Sequence, residues 1–163
     1  MDIPYRAFDT KGETYSYLLE QLKKVLEDTQ DQTAGLANAA SVLYLLLPRL
    51  NWAGFYLMKN GALVLGPFQG KPAVSQIQVG SGVCGTAALQ RATQVVQDVH
   101  ACENHIACDL NSRSEIVVPL TKNGRFFGVL DIDSPIISRF DEEDQSGLEQ
   151  AADMISKWLE KNR

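Results

Sequence analysis

The twenty residues from His100 to Pro119, HACENHIACDLNSRSEIVVP, hold two of the chain's three cysteines and both of its histidines. No helical or strand periodicity organises them before Glu115, where a strand-like apolar run begins. A polar stretch this dense in nucleophiles is the kind of loop on which a rigid scaffold presents its chemistry. Three readings are open. Cys108, three residues after His105, can be a nucleophilic or redox thiol, because a nearby imidazolium favours the thiolate. It can equally be a small buried hydrophobe. His100, Cys102, His105 and Cys108 spell H-x-C-x2-H-x2-C, which offers zinc four ligands. Structural zinc sites usually draw on two separated knuckles, however, and here nine consecutive residues hold all four with no Cys-x2-Cys. No bound metal is expected.

Other reactive residues lie outside that stretch. Cys84 stands in Gly-Ser-Gly-Val-Cys-Gly-Thr at the mouth of a short helix, where backbone N–H groups would favour a thiolate or another anion. No Lys-Ser/Thr follows, and the glycines lack dinucleotide-binding spacing, so they suit close approach to a small ligand better than a nucleotide. Asp131 and Asp133 alternate on a strand and point to one face, and Glu115, opening the preceding strand, can join them across the hairpin. Carboxylates on an apolar strand are costly unless paired, bound to a cation or solvated. Trp52 and Tyr56, four apart on another strand, also share a face. An acidic cup beside aromatic rings suits a small ammonium-bearing ligand with an apolar tail, such as an amino acid. A plain solvated sheet face is the alternative.

The elements that must position these residues follow from periodicity. Tyr15, Leu18, Leu19, Leu22, Val25 and Leu26 mark an amphipathic helix, and a second begins near Gln32, with Thr33 as its cap, and stops before Pro48. Their apolar stripes, like that of a C-terminal helix over Asp141–Lys161, serve as core or as a homodimer seam. Strands are expected at Trp52–Met58, Ala62–Pro67, Val74–Val79, Thr93–Val99, Glu115–Thr121 and Phe126–Ile132, with a short helix over Thr86–Arg91. Lys59-Asn60-Gly61 and Lys122-Asn123-Gly124 are hairpin turns. The sum is an α+β fold: a central, mainly antiparallel sheet with terminal helices on one face and loops closing a pocket on the other.

Composition narrows the function classes. With 163 residues, 45% hydrophobic and 21% charged, the chain has the size and balance of one soluble domain. A net charge of -5 argues against nucleic acid as a partner. No apolar run approaches the roughly 20 residues that span a bilayer, and MDIPYRAFDTKGETY is no secretory leader. A cytoplasmic protein is expected, and there three cysteines are not structural disulfides.

Several motifs, in order, resemble the free methionine-(R)-sulfoxide reductases, single-domain GAF proteins. They are Asn-Trp-Ala-Gly-Phe-Tyr-Leu (51–57), Leu-Gly-Pro-Phe-Gln-Gly-Lys-Pro-Ala (65–73), Gly-Val-Cys-Gly-Thr-Ala (82–87), Asp-Val-His-Ala (98–101), His-Ile-Ala-Cys-Asp (105–109), Ser-Glu-Ile-Val-Val-Pro-Leu (114–120) and Gly-Val-Leu-Asp-Ile-Asp-Ser-Pro (128–135). The resemblance implies one GAF domain over residues 1–163, with no cofactor. It implies Cys108 as the thiol that attacks the sulfoxide sulfur and becomes a sulfenic acid. Trp52 and Tyr56 would be the aromatic walls at the substrate's methyl end. Glu115, Asp131 and Asp133 would hold the amino group and assist the polarised oxygen. Thioredoxin or a low-molecular-weight thiol would be the reducing partner. One position departs from the family pattern: Val74 stands where a cysteine that condenses with the sulfenic acid is expected. Cys84, which matches a second family cysteine, or Cys102, a local addition, would then have to resolve the sulfenic acid. The rival reading is a GAF domain that only binds a small ligand and regulates.

Overall fold

The computed structural model describes residues 2–101, 103 and 110–162. In chain order it holds α1 (Lys11–Glu27), α2 (Gln32–Leu46), β1 (Trp52–Lys59), β2 (Ala62–Gly70), β3 (Gln76–Gln78), α3 (Gly82–Gln90), β4 (Gln94–Val96), β5 (Ser114–Lys122), β6 (Arg125–Ser134) and α4 (Glu142–Lys161). A 3-10 turn occupies Val99–Ala101. The six strands form one antiparallel sheet in the order β3-β2-β1-β6-β5-β4.

Local chemistry accounts for the element boundaries. Thr10 and Glu13 form a capping box that starts α1, satisfying donors at its first turn. Asp31 caps α2 by accepting from the Ala34 N–H at 2.8 Å. The sequence reading had placed that cap at Thr33, which instead lies inside the helix; the carboxylate two residues upstream has the better reach. Leu47 leaves helical geometry directly before Pro48, whose ring disfavours a helical predecessor. Asp141 and Asp144 form the capping box of α4. Both Asn-Gly pairs adopt positive φ, 50° and 82° at Asn60-Gly61 and 51° and 75° at Asn123-Gly124. These are two-residue turns whose twist matches the flanking strands, closing on Lys59–Ala62 and Lys122–Arg125.

The alternation of the strands divides the sheet into two faces. Ala53, Phe55, Ile116, Val118, Leu130 and Ile132 pack beneath α1, α2 and α4 in the larger core. The apolar stripes of these helices are buried within the chain. Across the sheet, Trp52, Tyr56, Val117 and Val129 pack against Val83, Cys84, Ala87 and Ala88 of α3. The face expected to be closed by loops is thus also covered by a helix. α3 begins at Gly82, four residues earlier than periodicity suggested, because small residues fit its first turn against the strands. β3 and β4 are shorter than expected, three residues each, since each pairs with one neighbour at a sheet edge.

Behind the sheet, Gly35 of α2 lies against the Trp158 ring, and a Cβ there would come within 2.2 Å of a ring carbon. Trp158 Nε1 donates to the Thr29 carbonyl at 3.2 Å, so the ring is not free to swing away. Gly35→Ala should therefore destabilise the protein by about 1–3 kcal/mol through overpacking. Set against the ~1 kcal/mol gained in helix propensity, this leaves a net loss of up to about 2 kcal/mol. Urea denaturation of the variant measures the balance. Among the described residues no helix is long and apolar enough to cross a membrane.

Candidate active site

β1, β6 and β5 lie side by side at the centre of the sheet, and their register assembles the site. Trp52 is opposite Asp133, Gly54 opposite Asp131 and Tyr56 opposite Val129. On the other flank of β6, Glu115 is opposite Asp133 and Val117 opposite Asp131. Strand alternation puts Trp52, Tyr56, Glu115, Asp131 and Asp133 all on the face toward α3. The expected clustering of the three carboxyl groups with the two aromatic rings is what the register produces.

The solvated-face alternative is excluded by burial. Glu115, Asp131 and Asp133 are each only 5–6% exposed. Burial first, then the neighbouring Asp133 charge, pushes the Glu115 carboxyl well above its ordinary pKa. Burial and the charge of Glu115 do the same to Asp131. A hydrogen bond joins Glu115 to Asp131, and the Cys84 thiol donates to Asp131. Two buried carboxyls in contact cannot both ionise cheaply, so the pair holds on to a proton above the ordinary carboxylate range.

Cys84 corrects one expectation. It sits in the first turn of α3, but its thiol faces the acidic cluster. Burial, followed by the charges of Asp131 and Glu115, raises its pKa well above the ordinary value. The neutral thiol is the resting form, and the thiolate expected from the helix terminus is not, because the carboxyls dominate the local field. Cys84 is the free cysteine among the described residues. Cys102, His105 and Cys108 lie outside those residues. His100 is exposed in the Val99–Ala101 turn, its N–H donating to Asp98 Oδ1 at 3.1 Å.

The aromatic wall is larger than the sequence reading had it. Trp52 stacks on Phe68 of β2, with centroids 5.2 Å apart and planes 12° from parallel. On its other neighbour, Tyr56, the centroid distance is 6.0 Å. Gly54 makes this possible: a Cβ there would come within 2.3 Å of Phe68 Cβ and 2.8 Å of the Trp52 ring. Phe68 was missed, although its spacing from Trp52 depends on a register shift between Gly54 and Tyr56 that no local pattern announces. The polar tips of the wall tie down the segment after β2. Trp52 Nε1 donates to the Lys71 carbonyl at 3.1 Å and Tyr56 Oη to the Val74 carbonyl at 2.9 Å. Val74 thus lies at the end of the Tyr56 ring.

Between the wall, α3 and the carboxyls is a cavity of about 10 Å³, lined by Tyr56, Cys84, Glu115, Asp131 and Asp133 among others. That is room for about one water molecule. An amino acid needs the cup to open. A wider depression of about 790 Å³, bordered by Tyr44, Lys71, His100 and Arg113, includes none of the three carboxyls.

The raised carboxyl pKa values have a consequence for stability. Unfolded, Glu115 ionises near pH 4; folded, it keeps its proton well above that. Above pH 4 the unfolded chain therefore binds fewer protons than the native one, and stability falls as pH rises through the native pKa. Glu115→Gln keeps the shape, removes this titration, and should raise Tm at pH 7 while flattening its decline from pH 4 upward. Thermal melts across that range would detect it. A steeper decline in the variant would contradict the assignment.

Comparison with known proteins agrees with this architecture. A family profile described as GAF domain matches residues 18–157. The free methionine-R-sulfoxide reductase of Escherichia coli is 46% identical over 149 residues, covering 91% of this chain and 90% of the relative. Protein YtsP of Bacillus subtilis is 51% identical over 151 residues, covering 91% and 93%. The X-ray structure of free methionine-R-sulfoxide reductase from Neisseria meningitidis in complex with its substrate superposes with a TM-score of 0.93. It is 43% identical, with 99% of this chain and 97% of that one covered. With near full-length identity at this level and a common fold, the chain belongs to the free methionine-(R)-sulfoxide reductase family of GAF-domain proteins.

Proposed function

We propose that the protein reduces free L-methionine-(R)-sulfoxide to methionine, with Cys108 as the attacking thiol. The observation that carries this reading is the buried, proton-sharing Glu115–Asp131 pair beside the Trp52–Phe68 stack. Expelling a sulfoxide oxygen needs a proton, and a carboxyl that burial keeps protonated above the usual carboxylate range can supply one. In this reading Asp133, directly opposite both Glu115 and Trp52, pairs with the substrate ammonium while the indole face receives its charge. Cys108 attacks as the thiolate, its own proton having gone to solvent, and its sulfur bonds to the sulfoxide sulfur. The pair's proton goes to the sulfoxide oxygen, and that oxygen moves to Cys108 as its bond to the substrate sulfur and the S–S bond break, releasing methionine. Cys108 is thereby oxidised to a sulfenic acid and the sulfoxide reduced.

The next step uses Cys84. Having given up its proton, the Glu115–Asp131 pair is a base in hydrogen-bond contact with the Cys84 thiol. It takes that proton as the Cys84 sulfur attacks the sulfenic sulfur and passes it to the departing hydroxide, so that water leaves and a Cys84–Cys108 disulfide forms; a solvent proton then reloads the pair. Thioredoxin or a low-molecular-weight thiol then reduces the disulfide. Cys102 is the competing resolver, and a disulfide map after one turnover separates them: a Cys84–Cys108 bond supports the relay, and a Cys102–Cys108 bond contradicts it.

The ammonium assignment has its own test. With dithiothreitol as reductant, N-acetylated methionine-(R)-sulfoxide should be reduced at least about a hundredfold less efficiently than the free amino acid, since a paired buried charge goes unanswered. Comparable kcat/KM values for the two would remove the acidic cup from substrate recognition. The second reading, a GAF domain that binds a ligand without turnover, gains support only if neither compound is reduced.

A further inference from the structure

We propose that Cys84, Glu115 and Asp131 form a binding site for a thiophilic divalent cation of the zinc class, and that an ion seated there closes the substrate cup. The three side chains come from different elements, α3, β5 and β6. They offer one sulfur and two carboxylate oxygens, all within 4.8 Å of one another and all buried. A tetrahedral zinc ion holds such atoms about 3.3–3.8 Å apart, so contraction by about an ångström completes the set. A separate observation points to a ligand. Asp131 Oδ1 is fully buried with no hydrogen-bond partner, and the cavity that Asp131 lines holds about 10 Å³. That space excludes an amino acid and admits a bare ion with, at most, one water. Asp133, lining the same cavity, adds further negative charge.

Sulfur together with carboxylate oxygen is a donor set for zinc or cobalt rather than for calcium or magnesium, which take oxygen alone. The ion would replace the protons that the thiol and carboxyls hold, and its charge would relieve their mutual repulsion. Its ligands are distinct from His100, Cys102, His105 and Cys108. The inhibitory consequence rests on the reductase reading: the occupied carboxyls could neither receive the substrate nor deliver a proton, and a metal-bound Cys84 could not resolve the sulfenic acid. Binding itself does not depend on that reading.

Cobalt(II) tests the site by spectroscopy. The full-length protein is reduced with a phosphine, freed of it and titrated with cobalt(II). A sulfur-to-cobalt charge-transfer band saturating at one equivalent and bleached by zinc(II) is expected. The band should persist in the Cys102→Ser/Cys108→Ser double variant, where Cys84 is the remaining thiol, and be lost in Cys84→Ser. Zinc(II) should also raise the Tm of the wild type and leave that of Cys84→Ser unchanged, which judges the site even if the double variant fails to fold. No band in the wild type, a band surviving in Cys84→Ser, or one abolished in a folded double variant would overturn the site. A band from a protein that reduces no sulfoxide would retire the reductase reading and leave the metal site standing. Turnover without any band would do the reverse.

Discussion

A protein carrying Asp131→Asn should keep its fold and lose about 10²–10⁴-fold in kcat for free methionine-(R)-sulfoxide, the range typical of a removed general acid. Asparagine matches the shape of the carboxyl and can still accept from the Cys84 thiol, but it has no proton to share with Glu115. The loss should fall mainly on kcat, because the proton is needed as the sulfur–oxygen bond breaks rather than when substrate binds. Asp133→Asn should show the opposite split, with KM raised more than kcat is lowered, if that side chain holds the ammonium. The pH profile is a second readout. In the wild type, burial holds the proton on the pair to well above the usual carboxylate range. The rate should therefore decline as pH rises through that raised pKa, and Asp131→Asn should remove the decline along with the activity. Equal kcat values for wild type and variant at pH 7 would show that the proton comes from elsewhere.

The largest effect on stability is expected far from the sheet's acidic face, at Asp144. This carboxylate is fully buried in the first turn of α4 and accepts from Arg139 Nη1 at 3.0 Å and Tyr15 Oη at 2.9 Å. Lys11 of α1 reaches it at 2.5 Å. Arg139 is itself only 6% exposed, and its Nε donates to the Pro48 carbonyl at 3.1 Å. One carboxylate thus joins α1, α4, the end of α2 and the β6–α4 connection. Asp144→Ala leaves the Arg139 charge buried without its partner, which costs about 3–5 kcal/mol. It also removes half of the α4 capping box. Urea unfolding should report a lower midpoint with an unchanged slope. Specific activity per folded molecule should stay near wild type, since Asp144 lines none of the cup. A loss under about 1 kcal/mol would mean that Arg139 finds solvent or another acceptor.

The sheet's centre was legible because strand chemistry is local. Asn-Gly fixes a two-residue turn, the turn fixes register, and register plus alternation puts Glu115, Asp131 and Asp133 on one face without any knowledge of the rest. Trp52 and Tyr56 join them by the same argument. What local pattern cannot supply is the environment. Whether Asp131 is solvated or buried depends on α3 covering the face, and the small residues that let α3 begin at Gly82 carry little periodicity. The state of Cys84 was misjudged for that reason: the helix terminus was visible, but the carboxyls facing the thiol come from strands about 30 to 50 positions later in the chain. Phe68 escaped because a bulge in β2, around Gly66 and Pro67, shifts it into register with Gly54. Arg139 and Asp144 were hidden differently. Five residues of separation give no hint that Arg139 folds back on the Asp144 carboxylate. The capping box at Thr10–Glu13, by contrast, is a spelled-out motif that a stricter reading of the first helix would have found.

The account stands or falls on one turnover. Protein fully reduced and then freed of reductant is mixed with excess free methionine-(R)-sulfoxide, quenched, and assayed for methionine. Close to one equivalent of methionine per chain is expected, with none from the (S) epimer and none from Cys108→Ser. Intact mass after alkylation should show the loss of two thiols as the disulfide forms. Binding of the sulfoxide with no methionine released by the wild type would contradict the account and leave a ligand-binding GAF domain in its place.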